Sequence, residues 1–335
     1  MTTSLREHDI RPQDTEAEQK RRYESDVRRL LARRAEFVEV SCPACGADAR
    51  TPHFQKYTLD YQRCLACQTV YISPRPSPDI LDDYYRHSEN YAYWNAVIFP
   101  ASETARRERI FKPRVARVID ICRAHSVATN LLVEVGAGFG TFCEEMMQAA
   151  TFKRVVAVEP TPSLADTCRT RGVEVIQSTI EQARLEHGVD VVVSFEVIEH
   201  LFDPAAFVVR CRDVLRSRGL LVLTCPNIQG FDIDVLGPVS PAIDVEHLNY
   251  FHPASLSALL VSHGFEVLET STPGRLDADI VRNRVQSGEF TLPEGFLRRV
   301  LIDDWERLGA KFQDFLIANC LSSNMWVVAR KLAAQ

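Results

Sequence analysis

The stretch Leu131–Gly140, LLVEVGAGFG, followed nineteen residues after Gly140 by Glu159 in RVVAVEP, decides how this chain is read. An apolar run leads into three glycines at alternate positions, Gly136, Gly138 and Gly140, and a helix is predicted from Thr141. Glycine lets a backbone turn tightly and come close to a ligand. A second apolar run, Arg154–Val158, ends on Glu159, whose carboxylate at a strand tip can accept hydrogen bonds from a ribose diol. Strand, glycine loop, helix, strand and acid in this order describe a nucleoside-cofactor site on a doubly wound α/β sheet.

The glycine spacing narrows the cofactor. A dinucleotide loop, G-x-G-x-x-G, would put its last glycine at position 141, which is Thr141. This chain instead has G-x-G-x-G, with Glu134 two residues before the first glycine. The arrangement resembles the class I S-adenosylmethionine-dependent methyltransferases. The resemblance implies that Glu134, Gly136, Ala137, Gly138 and Gly140 take the methionine part of S-adenosyl-L-methionine, with Glu134 near its ammonium or sulfonium. It also implies that Glu159 and Pro160 hold the ribose, and that Thr179, Ile180, Phe195 and Glu196 line the adenine or sulfonium side.

The rest of the pattern alternates. A helix is predicted over Pro162–Arg171, a strand over Val173–Ile176 and a buried strand over Val189–Ser194, which runs into FEVIEHL, Phe195–Leu201. Helix Pro204–Arg216 is expected to stop at Gly219 before strand Leu220–Thr224; helix Ala254–His263 precedes strand Phe265–Thr270, and Asn324–Lys331 reads as a last strand. Such alternation implies parallel βαβ units. The resemblance covers residues 126–335 and implies a Rossmann-like seven-stranded sheet whose last strand is antiparallel. Gly230–Ile243, broken by Gly237, Pro238 and Pro241, reads as an irregular lid over the acceptor or a surface Ω-loop. An insertion spans about 273–318, helical around Leu297–Leu308 and Lys311–Leu316, and either closes the acceptor pocket or makes a homodimer face.

Ahead of this domain, residues 1–38 read as a helical segment with Tyr23, Val27, Leu30 and Leu31 on one face; 39–75 form a zinc-ribbon module, and 76–125 an aromatic-rich helical connector. The module rests on Cys42-x-x-Cys45 and Cys64-x-x-Cys67, two knuckles separated by eighteen residues. That gap matches the paired-knuckle zinc signature. Four thiolates leave no open position, so the expected Zn²⁺ is structural. The other six of ten cysteines read as small core residues. In zinc-bearing relatives a comparable piece lies over the cofactor mouth, which brings in Tyr84, Tyr85, Tyr91 and Tyr93.

Catalysis is expected from histidine, whose charge changes near neutral pH. His200 ends the FEVIEHL run at the carboxyl edge of the sheet, and His247 lies in Glu246-His247-Leu-Asn-Tyr-Phe. The second string resembles that of zinc-bearing sugar C-methyltransferases, which implies His247 as general base supported by Glu246, with His200 as the alternative base. Those enzymes carry tyrosine where this chain has Asp244. The implied acceptor is a small polar metabolite such as a nucleotide-linked sugar. His125, His187, His252 and His263 read as helix-end or surface residues. A formal net charge of −6 argues against a nucleic-acid partner. The polar start and the lack of a long apolar run give the expectation of a cytoplasmic protein without a membrane partner. Two other classes remain open: a nicotinamide-dependent oxidoreductase, and a non-catalytic cofactor-binding adaptor using the zinc module.

Overall fold

The computed structural model describes residues 5–185 and 188–333; His187 and the first four residues of the 1–38 segment fall outside it. Eleven strands are found among the described residues. In chain order they are β1 Arg50–Lys56, β2 Leu59–Cys64, β3 Val70–Ile72, β4 Leu131–Val135, β5 Arg154–Val158, β6 Glu174–Ile176, β7 Val189–Phe195, β8 Leu215–Pro226, β9 Asn249–Tyr250, β10 Phe265–Ser271 and β11 Asn324–Lys331. Seven form one sheet in the order β10-β11-β8-β7-β4-β5-β6. β4 through β8 pair in parallel, while β11 runs antiparallel between β8 and β10.

Unbroken apolar runs make these strands central. Every residue of β7 is buried, and side chains alternate between two cores. Val133, Val135, Val192 and Leu221 face helices Pro204–Val214 and Pro253–Ser262. Leu132, Val191, Val193 and Val222 face helices Lys112–Ala124 and Thr141–Gln148. Each such side chain contributes about 1.5–3 kcal/mol by burial. Asp190 is tolerated inside β7 because its carboxylate accepts the Asn130 and Leu131 amides (2.6 and 2.9 Å) and pairs with Arg216 (2.9 Å).

Three segments differ from the sequence expectation. Helix Pro204–Val214 passes straight into β8 at Leu215, and Gly219 lies inside that strand, where a built Cβ would meet the Asp190 carbonyl at 3.1 Å. The glycine marks close strand approach rather than a helix stop. Gly230–Ile243 is only partly irregular: Phe231–Leu236 is helical and Gly237–Val239 a 3₁₀ turn before an irregular stretch over 240–243, and Leu236 packs with Val281, Leu301 and Trp305 of the insertion. The insertion also holds a helix unread in the sequence, Asp277–Gln286, anchored by Asp277 accepting from Ser322, Ser323 and Gln313. Of the six remaining cysteines, Cys320 is exposed and the others are buried.

The N-terminal strands join a second, four-stranded antiparallel sheet in the order β1-β2-β3-β9. Its last member comes from the C-terminal part of the chain, with Val70 opposite Tyr250 and Tyr71 opposite Asn249. Leu59, Tyr61, Val70 and Ile72 share their core with Val27 and Leu30 of helix Glu16–Leu31, with Ile80 and Tyr84, and with Tyr250.

One buried acid gives the fold a pH dependence. Asp232 is almost wholly buried, accepts from Ser240 Oγ (3.0 Å), and is pushed up to about 7 by burial first and the neighbouring Asp277 second. A carboxyl raised in the folded state favours the protonated fold. Its contribution is complete below the unfolded value of about 4 and is lost as pH rises through about 7. Asp232→Asn should therefore lose less stability than the parent between about pH 5 and pH 8, measured as the shift of the urea midpoint at the two values. An equal shift in both proteins would contradict this.

Candidate active site

The glycine loop is built at the carboxyl end of β4. Gly136, Gly138 and Gly140 all have positive φ (73°, 55° and 71°), and the Gly136 amide donates to Val158 O (2.8 Å), locking the loop onto β5. A Cβ at Gly136 would lie 2.5 Å from Val197 Cγ2, and one at Gly140 would lie 2.9 Å from Cys168 Sγ. At Gly138 nothing stands within 4 Å of a built Cβ, so the loop leaves open space beside its middle glycine. The Gly138 amide donates to Glu159 Oε2 (2.9 Å), and the Thr161 amide to Glu159 Oε1 (2.9 Å), which fixes the carboxylate at the strand tip beside that space. Thr141 Oγ1 is buried without a hydrogen-bond partner. An open cradle, an orphan hydroxyl and a held carboxylate fit a nucleoside cofactor at this loop.

Around the loop the ionisable groups are mainly acidic. Glu134 is buried and raised to about 8 by burial, although Cys143 Sγ donates to it (2.9 Å) and Arg114 is near. Arg114 bonds Glu196 (3.3 Å) and lies 4.7 Å above the Phe195 ring. Glu196 also accepts from Thr224 (2.6 Å) and Asn324 (2.9 Å). The Phe195 ring packs between Phe142 and Trp326 in the core rather than into open space. Ala137 and Ile180 are buried, and Thr179 and Pro160 are exposed. Phe99 of the connector stacks on Phe139 of the loop at 3.5 Å between ring centroids.

FEVIEHL turns off β7 into a short 3₁₀ turn, Ile198–His200. Its neighbour is the loop carrying His247, with the two imidazole centroids 4.6 Å apart. Asn249 binds the two segments together, its amide donating to the carbonyls of Ile198, Glu199 and Leu201, while Arg75 Nη1 donates to Asn249 Oδ1 (3.1 Å). Burial, then the neighbouring His247, hold His200 well below the ordinary histidine value, so it is neutral. Glu199 is pushed well above the usual carboxylate range by burial and then by Glu196.

The expected Glu246–His247 pairing is replaced by another. His247 Nδ1 bonds Ala242 O (2.8 Å), with Asp244 Oδ2 at 3.4 Å, whereas Glu246 Oε1 accepts the Tyr84 hydroxyl (2.6 Å). Asp244 Oδ1 also accepts the amides of Glu246 (2.9 Å) and His247 (2.7 Å), a local turn that only a short acidic or amide side chain makes readily. Burial and Asp244 raise Glu246 to about 7. The connector tyrosines reach this cluster, with Tyr85 Oη 3.3 Å from His200 Nδ1.

Sequence reasoning passed over the groups that brace this loop from the N-terminal side. Lys56 donates to Ser240 O (3.4 Å) and Ile243 O (2.5 Å), Tyr61 donates to Asp244 O (2.7 Å), and Tyr23 accepts the Val245 amide (3.1 Å). Each lies more than 180 residues from its partner, so no local signal existed.

At the knuckles, Cys42, Cys45, Cys64 and Cys67 bring four sulfurs within 4.8 Å of one another, with Cys42–Cys67 at 3.4 Å and Cys45–Cys64 at 3.6 Å. A tetrahedron with bonds of about 2.3 Å has edges near 3.8 Å, so one zinc ion fits between them. Amides of Ala44 and Cys45 point at the Cys42 sulfur, and those of Ala66 and Cys67 at the Cys64 sulfur, as thiolates require. His252 is buried, and its ring bonds Cys67 O (2.8 Å), tying the second knuckle to the start of helix Pro253–Ser262.

Residues 104–270 match the sequence profile of the family described as a methyltransferase domain. A protein of Mycobacterium tuberculosis named "Probable S-adenosylmethionine-dependent methyltransferase" is 34% identical over 163 residues, which is 48% of this chain and 54% of the relative. A ubiquinone biosynthesis O-methyltransferase of a Bradyrhizobium strain is 29% identical over 102 residues, 29% of this chain and 40% of the relative. The chain spans about half the length of the Mycobacterium relatives it matches. Among solved structures, a chain of the complex formed by the Haloferax volcanii Trm112 methyltransferase activator aligns with a TM-score of 0.50 at 13% identity, covering 73% of this chain and 98% of that one, a likeness of fold. The sheet order and the glycine loop with its acid agree with the methyltransferase-domain profile that residues 104–270 match.

Proposed function

We propose that this chain methylates a small polar acceptor, a nucleotide-linked sugar or related biosynthetic intermediate, with His247 as the base and a structural zinc ion on Cys42, Cys45, Cys64 and Cys67. The observation that carries the reading is the open cradle at Gly138, bounded by the held carboxylate of Glu159 and touched at Gly136 by Val197 of the FEVIEHL turn. Bound S-adenosylmethionine supplies an electrophilic methyl group on a sulfonium. Glu159 is set to take the ribose diol on its remaining lone pairs. Glu134 and Glu199, kept protonated by burial, and Glu196 lie near Arg114, and a cationic ligand would favour the ionised forms of the buried pair. A hydrogen-bonded carbonyl can only accept, so His247 carries its proton on Nδ1 toward Ala242 and keeps a lone pair on Nε2 for the acceptor's proton.

Glu159→Ala should weaken S-adenosylmethionine by roughly 1.5–3 kcal/mol, or about 10- to 150-fold in Kd, the scale of a lost charge-assisted hydrogen bond. Calorimetry would check it. No affinity in the parent, or tighter binding of a nicotinamide dinucleotide, would defeat the assignment.

His247→Ala should leave cofactor affinity nearly intact and lower turnover by about 10²–10⁴, the usual contribution of a placed base. Labelled-methyl transfer across a panel of nucleotide sugars supplies the measurement. Unchanged turnover would remove His247 from the chemistry.

Zinc analysis should return one equivalent on the four cysteines, and Cys64→Ser should lower both zinc content and thermal stability. Because β3 pairs with β9 next to the His247 loop, the same variant should lose activity more steeply than cofactor affinity. A zinc-free parent with full stability would contradict the structural role.

A further inference from the structure

Glu199, His200 and His247 each offer one ligand atom, a carboxylate oxygen and two imidazole nitrogens, all within 4.8 Å of one another. Glu199 is wholly buried, and neither carboxylate oxygen has a hydrogen-bond partner. A buried polar atom left unpaired is costly, and a ligand that pairs it recovers that cost. Both imidazoles are held from behind. His247 Nδ1 faces Ala242 O (2.8 Å), and His200 Nδ1 faces Glu246 O (3.2 Å) with Tyr85 Oη at 3.3 Å. Since the carbonyls can only accept, each ring carries its proton on Nδ1 and presents a bare Nε2. Metal-binding histidines are oriented by just such outer partners.

We propose that Glu199, His200 and His247 form a second metal site, separate from the four cysteines, that takes a divalent first-row transition cation. Two imidazoles and one carboxylate suit such an ion, whereas magnesium and calcium favour all-oxygen sites. Unlike four thiolates, three protein ligands leave coordination positions open. With the ion bound, an acceptor hydroxyl oxygen on it gives up its proton to solvent more readily and the Nε2 lone pair of His247 is a metal ligand, so the base role proposed above applies only to the ion-free site. This role rests on the methyl-transfer reading; the binding of the ion does not.

Cobalt(II) titration of the full-length protein, with its cysteine site already filled by zinc, tests the site through visible absorption. The expected result is one further equivalent whose ligand-field bands appear without sulfur-to-metal charge transfer. Glu199→Gln, His200→Ala and His247→Ala should each weaken it by more than about 10-fold, the loss that even an outer-shell change produces. Retained zinc and an unchanged circular dichroism spectrum show that a variant is folded, and the near-isosteric Glu199→Gln guards against collapse of the others. No second equivalent in the parent, or a second equivalent that survives in the folded variants, overturns the proposal. Calorimetry with S-adenosylmethionine on the same samples separates the two readings. Cofactor binding without the second equivalent defeats only the metal site, and the second equivalent without cofactor binding defeats only the methyl-transfer reading.

Discussion

The pairing of β3 with the two-residue strand β9 is the joint on which the His200–His247 cluster depends. Two residues of ladder would be weak alone, but Asn249 spends its side chain on three carbonyls of the His200 segment, and Arg75 is buried against Asn249 to keep it there. Arg75 is fully buried, and desolvation lowers its pKa to about 10. Such a buried cation is tolerated only where carbonyl and amide oxygens surround it, as those of Ile72, Phe202 and Asn249 do. The same joint sets the distance between His200 and His247, so their juxtaposition is a property of the N-terminal sheet as much as of the methyltransferase sheet.

Much of the fold was legible because buried parallel strands write themselves as unbroken apolar runs. Arg154–Val158, Asn324–Lys331 and the helix start at Thr141 agree with the structure to the residue. The glycine loop was legible for a similar reason, since its three positive-φ positions and its acid are all local requirements. The His247 loop was not. Its string of letters suggests that Glu246 holds the imidazole, yet the carboxylate that shapes the turn is Asp244, the position at which the chain departs from the pattern it resembles. Glu246 is drawn instead to Tyr84, 162 residues away in sequence. Helix Asp277–Gln286 was missed because its anchors, Gln313, Ser322 and Ser323, lie beyond any local window.

Electrostatics explain why the site is poised for a ligand. Glu134 and Glu199 are buried carboxyls, and the described neighbourhood supplies chiefly Arg114 against them and Glu196. Burial keeps both carboxyls protonated near neutral pH, and a bound positive charge would favour their ionised forms. The residues responsible come from different elements, β4, the turn after β7 and helix Lys112–Ala124, so the charge pattern exists only in the folded chain.

The shared sheet also bears on how such a protein can be dissected or inherited. The methyltransferase profile begins at residue 104, well after β1–β3. A chain cut there would keep the cofactor loop yet present β9 as a bare edge, with Val70 and Tyr71 missing from its ladder and Lys56 and Tyr61 missing from the His247 loop. The cysteine module is therefore not an appendage that could be exchanged between enzymes at its sequence boundary. The two halves have to vary together, and the module's surface facing β9 should drift only in step with the segment from Ser240 to Phe251.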